Sequence, residues 1–433
     1  MKHLVLIGGG HSHAIVLKMF GIKPLPGVRL TLISDVLYAP YSGMLPGHVA
    51  GFYDYDECHI DLRSLAEFAG CQILVDRAIA IDLSKNLVIC QTRPPVNFDL
   101  LSVDIGSTPA TLSVPGAAEY AIPAKPVPEF LASWNQLIAA RQNHPQKPLR
   151  IAIVGGGAGG VELALNMDSH LAKEEGRRKK EEGRGKREEG RRKREEGRDK
   201  KEEGRGNREE HLETLSSEIH LFHSGTELMP GHNYRVRHRL KEILINRGIK
   251  VHLMEKVRAI ENQEMIEIAS KAQGPIPKVQ ICCESGLKVK CEIVFWVTQA
   301  SAANWIEESG LATDSKGFMQ VNDCLQSVSH PKVFGAGDIC AMVNYPRPKA
   351  GVFAVRQGKP LFENLQNFLL QKPLKPFVPQ SKYLALIGTG NKSAIASRGN
   401  FMWESPLLWY WKDCIDRQFM QKFSNLPKTR NTK

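Results

Sequence analysis

His3 to His13 reads HLVLIGGGHSH. Together with Lys2 before it, this stretch decides the fold. Leu4 to Ile7 are four consecutive apolar residues, the pattern of a strand buried in a parallel sheet. Gly8, Gly9 and Gly10 then turn the chain tightly, and His11 to Met19 reads as a helix. A helix N-terminus presents free N–H groups and a partial positive charge, so the turn suits a pyrophosphate. Glycine belongs at Gly8 and Gly10 because a Cβ would block the approach of the phosphate. A second strand, Arg29 to Ile33, ends in Ser34 and Asp35. A carboxylate at that point can accept the hydrogen bond of a ribose 2′-OH.

The spacing is G-x-G-x-x-H, with His13 where a third glycine is usual. A second copy strengthens the reading. Arg150 to Val154 is another apolar strand, followed by Gly155, Gly156, Gly157, Ala158, Gly159 and Gly160 and the helix start VELAL. Gly155, Gly157 and Gly160 complete the G-x-G-x-x-G spacing. Two such turns suggest two dinucleotides, one an electron donor and the other a relay.

The 433 residues suffice for two or three domains, and 42% hydrophobic content is that of a globular protein. No apolar run is long enough to span a bilayer. The chain opens directly on a strand, which predicts no secretory leader and a cytoplasmic protein. Nine cysteines at irregular spacing, without a C-x-x-C pair, read as reduced and structural. No residue pattern suggests a metal site. The net charge of +12 fits an anionic cofactor, a membrane surface or nucleic acid; no nucleic-acid motif accompanies it, so no nucleic-acid partner is expected.

Tyr38 to Pro46, YAPYSGMLP, reads as a loop that either lies at the surface or faces a flat ring. Gly70 to Asp82 and Leu87 to Gln91 read as strands of a small sheet. DLLSVDIGSTP, Asp99 to Pro109, is a strand running into a turn, and the proline-rich Pro115 to Pro128 is a crossover. The helix after the second glycine turn runs into five seven-residue units starting at Glu174, Glu181, Glu188, Glu195 and Glu202, each beginning Glu-Glu-Gly-Arg. Lys and Arg outnumber Asp and Glu by 17 to 13 between Lys173 and Glu210. Without an apolar residue there is no coiled-coil seam, and each glycine costs a helix about 1 kcal/mol. The expectation is a solvated, disordered or frayed-helical insertion that does not touch the core; a basic interaction arm is the alternative.

Glu218 to His223 is the second strand of the second unit, ending in His223 and Ser224 without a carboxylate. Arg235, Arg237 and Arg239 follow a turn or more later, so NADH and NADPH both stay open. Tyr234 to Arg247 is an amphipathic helix capped by Gly248. Lys332 to Asp338, KVFGAGD, puts an aspartate at a helix start, where it can receive a hydroxyl of an extended cofactor or act as an ordinary cap. Gly351 to Leu365 is a helix with one apolar face. In the last helix, near Pro406 to Phe423, Leu408, Trp411, Ile415 and Phe419 make a stripe. That stripe suits a membrane interface, the protein's own body or a second copy in a homodimer.

Strand–GGG–helix, a strand ending in an acid, DIGSTP, GGGAGGVELA and FGAGD together resemble the two-dinucleotide flavoproteins of the pyridine nucleotide-disulfide oxidoreductase superfamily. Within it the chain looks most like type II NADH dehydrogenases and sulfide–quinone reductases. GGGHSH, YSGMLPG, AVRQG and SRGNFMWES…WKDCIDRQFM are similar to the flavoprotein portion joined in some proteins to selenide, water dikinase. The resemblance implies an α/β fold with two Rossmann-like domains of the three-layer ββα type, the second inserted in the first, and a C-terminal α+β segment. Residues 1–122 and 297–345 would bind FAD, 123–296 (with the insertion 173–210) NAD(P)H, and 346–433 would form an interface or membrane-contact segment on the cytoplasmic face.

The resemblance also implies site residues. Gly8, Gly10 and the helix start at His11 would hold the FAD pyrophosphate, Asp35 its ribose, and Asp338, after Gly337, its ribityl chain. Ala354 to Gln357 would lie beside the flavin. NADH or NADPH would sit at Gly155, Gly157 and Gly160, with Glu162 in the adjoining helix turn. The implied activity is hydride transfer from NAD(P)H to FAD and onward transfer to a small-molecule acceptor, a quinone. No general acid or base is required, though His11, His13 and Tyr41 could tune the flavin, donate a proton to a reduced acceptor or be hydrogen-bonded structural residues. Lys359 and Arg356 could stabilise reduced flavin or form a solvated face. Rival readings are a flavoenzyme of sulfur or selenium compounds, using Cys58, Cys340 or another thiol, and a non-enzymatic flavin-bound sensor or assembly factor. The missing cysteine pair puts the family's disulfide chemistry in doubt.

Overall fold

The computed structural model describes residues 1–109, 114–143, 149–196, 217–266, 276–298 and 300–427. Two five-stranded parallel sheets form its frame. Their strands, in chain order, are β1 (Lys2–Ile7), β2 (Val28–Ser34), β3 (Cys71–Val75), β4 (Leu100–Val103), β5 (Ala121–Pro123), β6 (Arg150–Val154), β7 (Glu218–His223), β8 (Lys250–Leu253), β9 (Ile293–Trp296) and β10 (Val333–Gly335). The first sheet has the order β10-β4-β1-β2-β3 and the second β5-β9-β6-β7-β8. In each, the strand that feeds the glycine turn is central, and the strand order reverses beside it. Ligands of open parallel sheets bind at that reversal.

β1 leads into α1 (His11–Ile22) and β6 into α2 (Ala158–Glu196), while α3 (Tyr234–Asn246) returns the chain from β7 to β8. In β6, Ile151 and Ile153 pack on a helix-side cluster that includes Val161, Leu165 and Leu240. Ala152 and Val154 face the other way, against Val257, Ile260, Val279 and Ile281. Alternating side chains thus feed two faces, one covered by helices and one by a small antiparallel sheet. This is the three-layer ββα arrangement. After β10, α4 (Gly351–Leu369) packs against α1, and the chain ends in a three-stranded antiparallel sheet, β11 (Ala385–Gly388), β12 (Ala394–Arg398) and β13 (Phe401–Ser405), followed by α5 (Pro406–Ser424).

Four expectations change. Cys71–Val75 joins the main parallel sheet beside β2, with Leu30 opposite Cys71, rather than a separate small sheet. The helix Leu62–Ala69, ended by Gly70 at φ +60°, makes it a parallel crossover. Ala121 already pairs with Val294, so the second sheet begins before residue 123. The first repeats are helix: α2 runs unbroken to Glu196, nucleated by its buried N-terminal half. The first unit of the insertion meets polar neighbours and not the apolar core: Gln142 donates to Glu174 at 2.9 Å and the Ser217 N–H to Glu175 at 3.5 Å. The rest of the repeat, from 197 onward, lies outside the described residues. Finally, α5 buries Leu408, Trp409, Phe419, Met420 and Phe423, whereas Trp411 is 49% and Ile415 42% exposed. The helix is rotated because Lys412 and Asp416 turn inward and find polar partners there, as described below.

Candidate functional site

A cavity of about 660 Å³ opens over the first glycine turn, within the size range of cofactor clefts. Gly8 has φ +89°, and a Cβ on it would lie 2.4 Å from the Asp104 carbonyl oxygen. The turn therefore lies directly against the strand end after β4. At one end of the cavity Asp35 carries Arg77 at 3.1 Å, with both side chains about half exposed. At the other, the Asp338 carboxylate accepts from Lys125 Nζ at 3.0 Å and from Ser107 at 3.4 Å. The Gly337 N–H donates to Gln357 Oε1 at 2.7 Å, tying α4 to the same turn.

His11 lines the cavity. Its Nε2 is shielded from water and has no partner among the described residues. Shielding pushes the imidazole down to about 4, so it is neutral at physiological pH. Its ring meets Tyr41 edge-on at 5.3 Å, and Tyr41 in turn lies 4.7 Å from Phe419 of α5. The Tyr41 hydroxyl donates to Asp416 at 3.1 Å, and burial beside that carboxylate raises its pKa. Lys412 donates to Asp416 at 2.6 Å and to the Gly43 carbonyl at 2.7 Å. The final helix is thereby fastened over the YSGMLP loop. An extended channel with glycines along it, a carboxylate near each end and an unsatisfied polar nitrogen fits a dinucleotide that carries a ring system.

The other candidates are placed differently. His13 is completely buried and turned away from the cavity. Its Nδ1 donates to the Gly8 carbonyl at 2.7 Å and its Nε2 faces Ser102 Oγ at 2.8 Å. The side chain of Lys359 is 71% exposed and 3.9 Å from Glu363, on the outer face of α4. It lines none of this cavity, because the helix turn that brings Ala354 and Gln357 inward carries Lys359 outward. Lys125 carries no local signal in the sequence, since its partner Asp338 is far away in the chain.

The second turn is built of backbone contacts. Gly155 has φ +132°, and a Cβ on Gly160 would lie 1.8 Å from the Gly155 oxygen. Gly157 has nothing within 4 Å, so its surface is open to a ligand. The ring of His223 lies over Gly156, and Arg237 pairs with Glu227, the first carboxylate after β7. Arg239 pairs with Glu404 of β13 at 2.6 Å. Glu162 is enclosed, its pKa raised by burial, and accepts the Gly388 N–H at 2.8 Å, which joins α2 to the C-terminal sheet.

All nine cysteines are free. Burial pushes the Cys58 thiol up to about 12 and raises that of Cys340 as well. Among the described residues no group of His, Cys, Asp and Glu is arranged to hold a metal, and no helix is long and apolar enough to cross a membrane.

Two parallel sheets, each with a glycine turn at its central strand, define a protein that holds two dinucleotides. Residues 2–358 match the pyridine nucleotide-disulphide oxidoreductase family, and the chain belongs to it. The cofactors of that family are FAD and NAD(P)H. The chain is 24% identical over 314 residues to ferroptosis suppressor protein 1 of Xenopus laevis, covering 70% of this chain and 65% of that relative. It is 25% identical over 186 residues to the external alternative NADH-ubiquinone oxidoreductase of Yarrowia lipolytica, 38% of this chain and 31% of the relative. The chain thus spans less than two thirds of either relative. Among solved structures, NDH2 of Plasmodium falciparum bound to NADH superposes with a TM-score of 0.73 at 14% identity, covering 98% of this chain and 99% of the other. The sulfide:quinone oxidoreductase of Aquifex aeolicus gives 0.71 at 18% identity, with 98% and 92% covered.

Proposed function

We propose that this chain oxidises a reduced nicotinamide dinucleotide through FAD and passes the electrons to a quinone-like acceptor. The observation that carries the reading is the cavity at the first turn, with Asp35 at one end and the Lys125–Asp338 pair at the other. Bound FAD supplies the redox chemistry, taking hydride from NAD(P)H and releasing electrons to the acceptor. Gly8, Gly10 and the N-terminus of α1 at His11 hold its pyrophosphate. Asp35 takes the ribose, and Asp338 with Gly337 and Gln357 holds the ribityl chain and the ring edge. Lys125 brings a cation next to Asp338. Gly155, Gly157 and Gly160 receive the nicotinamide dinucleotide. His11 and Tyr41, roofed by Phe419, close the ring end against water. The kinship with a ubiquinone-reducing relative supports the acceptor class. The sulfur reading is weaker, because buried thiols of raised pKa are poor nucleophiles.

The acceptor class goes with a lipid surface. Leu407, Tyr410, Trp411 and Ile415 of α5 are exposed together with Phe401 and Trp403 of β13. Exposed aromatic and apolar side chains on the last strand and the last helix suit the headgroup level of a bilayer. The C-terminal segment thus brings the flavin's covered side to the membrane, as a peripheral rather than a spanning protein.

The test is a visible spectrum of the purified chain, then anaerobic addition of NADH or NADPH, then a short-chain quinone, with and without vesicles. A flavin band that bleaches with one nucleotide, returns with quinone and co-floats with vesicles supports the proposal. Flavin that no nucleotide bleaches overturns the enzyme reading. Bleaching without flotation, with α5 covered in a dimer, overturns the membrane part alone.

A further inference from the structure

Asp104 ends β4 in the DIGSTP turn and is 2% exposed. Its Oδ2 accepts the His13 N–H at 3.0 Å, and the Ser12 backbone N–H is directed at the same carboxyl, while the Ser12 hydroxyl donates to the Ala354 carbonyl at 2.7 Å. Its main-chain oxygen accepts the Gly10 N–H at 3.1 Å. A Cβ on Gly10 would lie 2.3 Å from the carboxyl carbon, and one on Gly337 2.3 Å from Oδ1. The carboxyl is therefore wedged where three turns meet: the glycine turn, its own, and the Gly-Ala-Gly-Asp turn. It also lines the cavity. The titratable groups around it are His11 and His13 of α1, Asp338 and the Cys340 thiol; the cation Lys125 is bound to Asp338 instead.

We propose that Asp104 is the positioning acid of the flavin site, partly ionised in the empty chain and neutral once FAD is bound, so that FAD binding above neutral pH takes up a proton. The inference rests on FAD occupying the first turn. A helix N-terminus favours an anion, and here the protein's own carboxyl already sits on it. The pyrophosphate brings further negative charge to the same enclosed turn. Like charges in a buried site push a carboxyl towards its protonated form. Burial has already raised Asp104 to about 7, and Asp338 acts in the same direction, so little further push is needed. The acid form keeps Oδ2 as acceptor for His13 and places the proton, taken from solvent, on Oδ1 beside Gly337.

The sign is that of an acid whose pKa is higher in the bound state. Binding is strongest below the free value, near 7, and weakens as pH rises above it. FAD is titrated by fluorescence into the deflavinated full-length chain from about pH 6 to about pH 9, and the wild-type Kd should rise up to about tenfold per pH unit above about 7. Asp104→Asn should bind with a Kd that does not change over that range. Calorimetry of wild-type binding in buffers of different ionisation heat should show net proton uptake. A wild-type Kd independent of pH, or an unchanged slope in Asp104→Asn, overturns the inference. If the variant does not fold, a binding heat independent of buffer overturns it. Absence of FAD binding at every pH would instead overturn the cofactor reading.

Discussion

The two glycine turns do the same geometric job with different materials. In the second, the helix comes so close to the turn that a Cβ on Gly160 would sit 1.8 Å from the Gly155 oxygen. Packing there is backbone on backbone. In the first, His13 stands at the equivalent position, and its ring bridges the Gly8 carbonyl and Ser102 beneath the turn. Asp104 completes that polar plug from β4. A close helix-to-strand contact can therefore be replaced by a set of buried hydrogen bonds, provided every member is satisfied. The third glycine of the motif is one solution to a packing problem, and a histidine with the right partners is another.

The comparison can be broken most severely at Gly160. Gly160→Val should cost roughly 3 kcal/mol or more in urea unfolding and abolish nicotinamide binding, because the obstacle is backbone that cannot move aside. Unchanged stability would show that the helix is free to shift. The next largest effect belongs to His13→Gly. It restores the G-x-G-x-x-G spacing yet should lose about 2–4 kcal/mol and most of the bound flavin, since a buried ring and two hydrogen bonds disappear. Flavin content at or above the wild-type level would refute the plug. The smallest effect is at Gly157, where a Cβ meets nothing within 4 Å. Gly157→Ala should leave the unfolding free energy within about 0.5 kcal/mol of wild type. It should still weaken NADH or NADPH in a fluorescence titration, because the open space is the ligand's.

Much of this was legible in the chain because it is local. Apolar runs before glycine clusters mark both central strands, and the carboxylates of Asp35 and Asp338 stand at short, fixed offsets from their strands. The end of β7, with His223 and Ser224, was equally readable, and the structure adds only that Arg237 and Arg239 are already paired. Other parts were not readable. Periodicity alone turns the wrong face of the last helix inward, because Lys412 and Asp416 have the character of solvated residues. They turn inward only because Tyr41 and Gly43 lie more than 360 residues away to receive them. For Lys359 the sequence leaves a place beside the flavin and a solvated face both open, and its helix turn faces solvent.

Sequence alone determined the two dinucleotide turns, the strands that lead to them and the acids beyond them, since periodicity and glycine geometry act over a few residues. Tertiary structure alone decided that Cys71–Val75 extends the main sheet and that His13 is a buried brace. It likewise set Lys125 against Asp338 and Asp104 between three turns. These depend on contacts between segments far apart in the chain, where burial and partner geometry, rather than residue type, set what a side chain does.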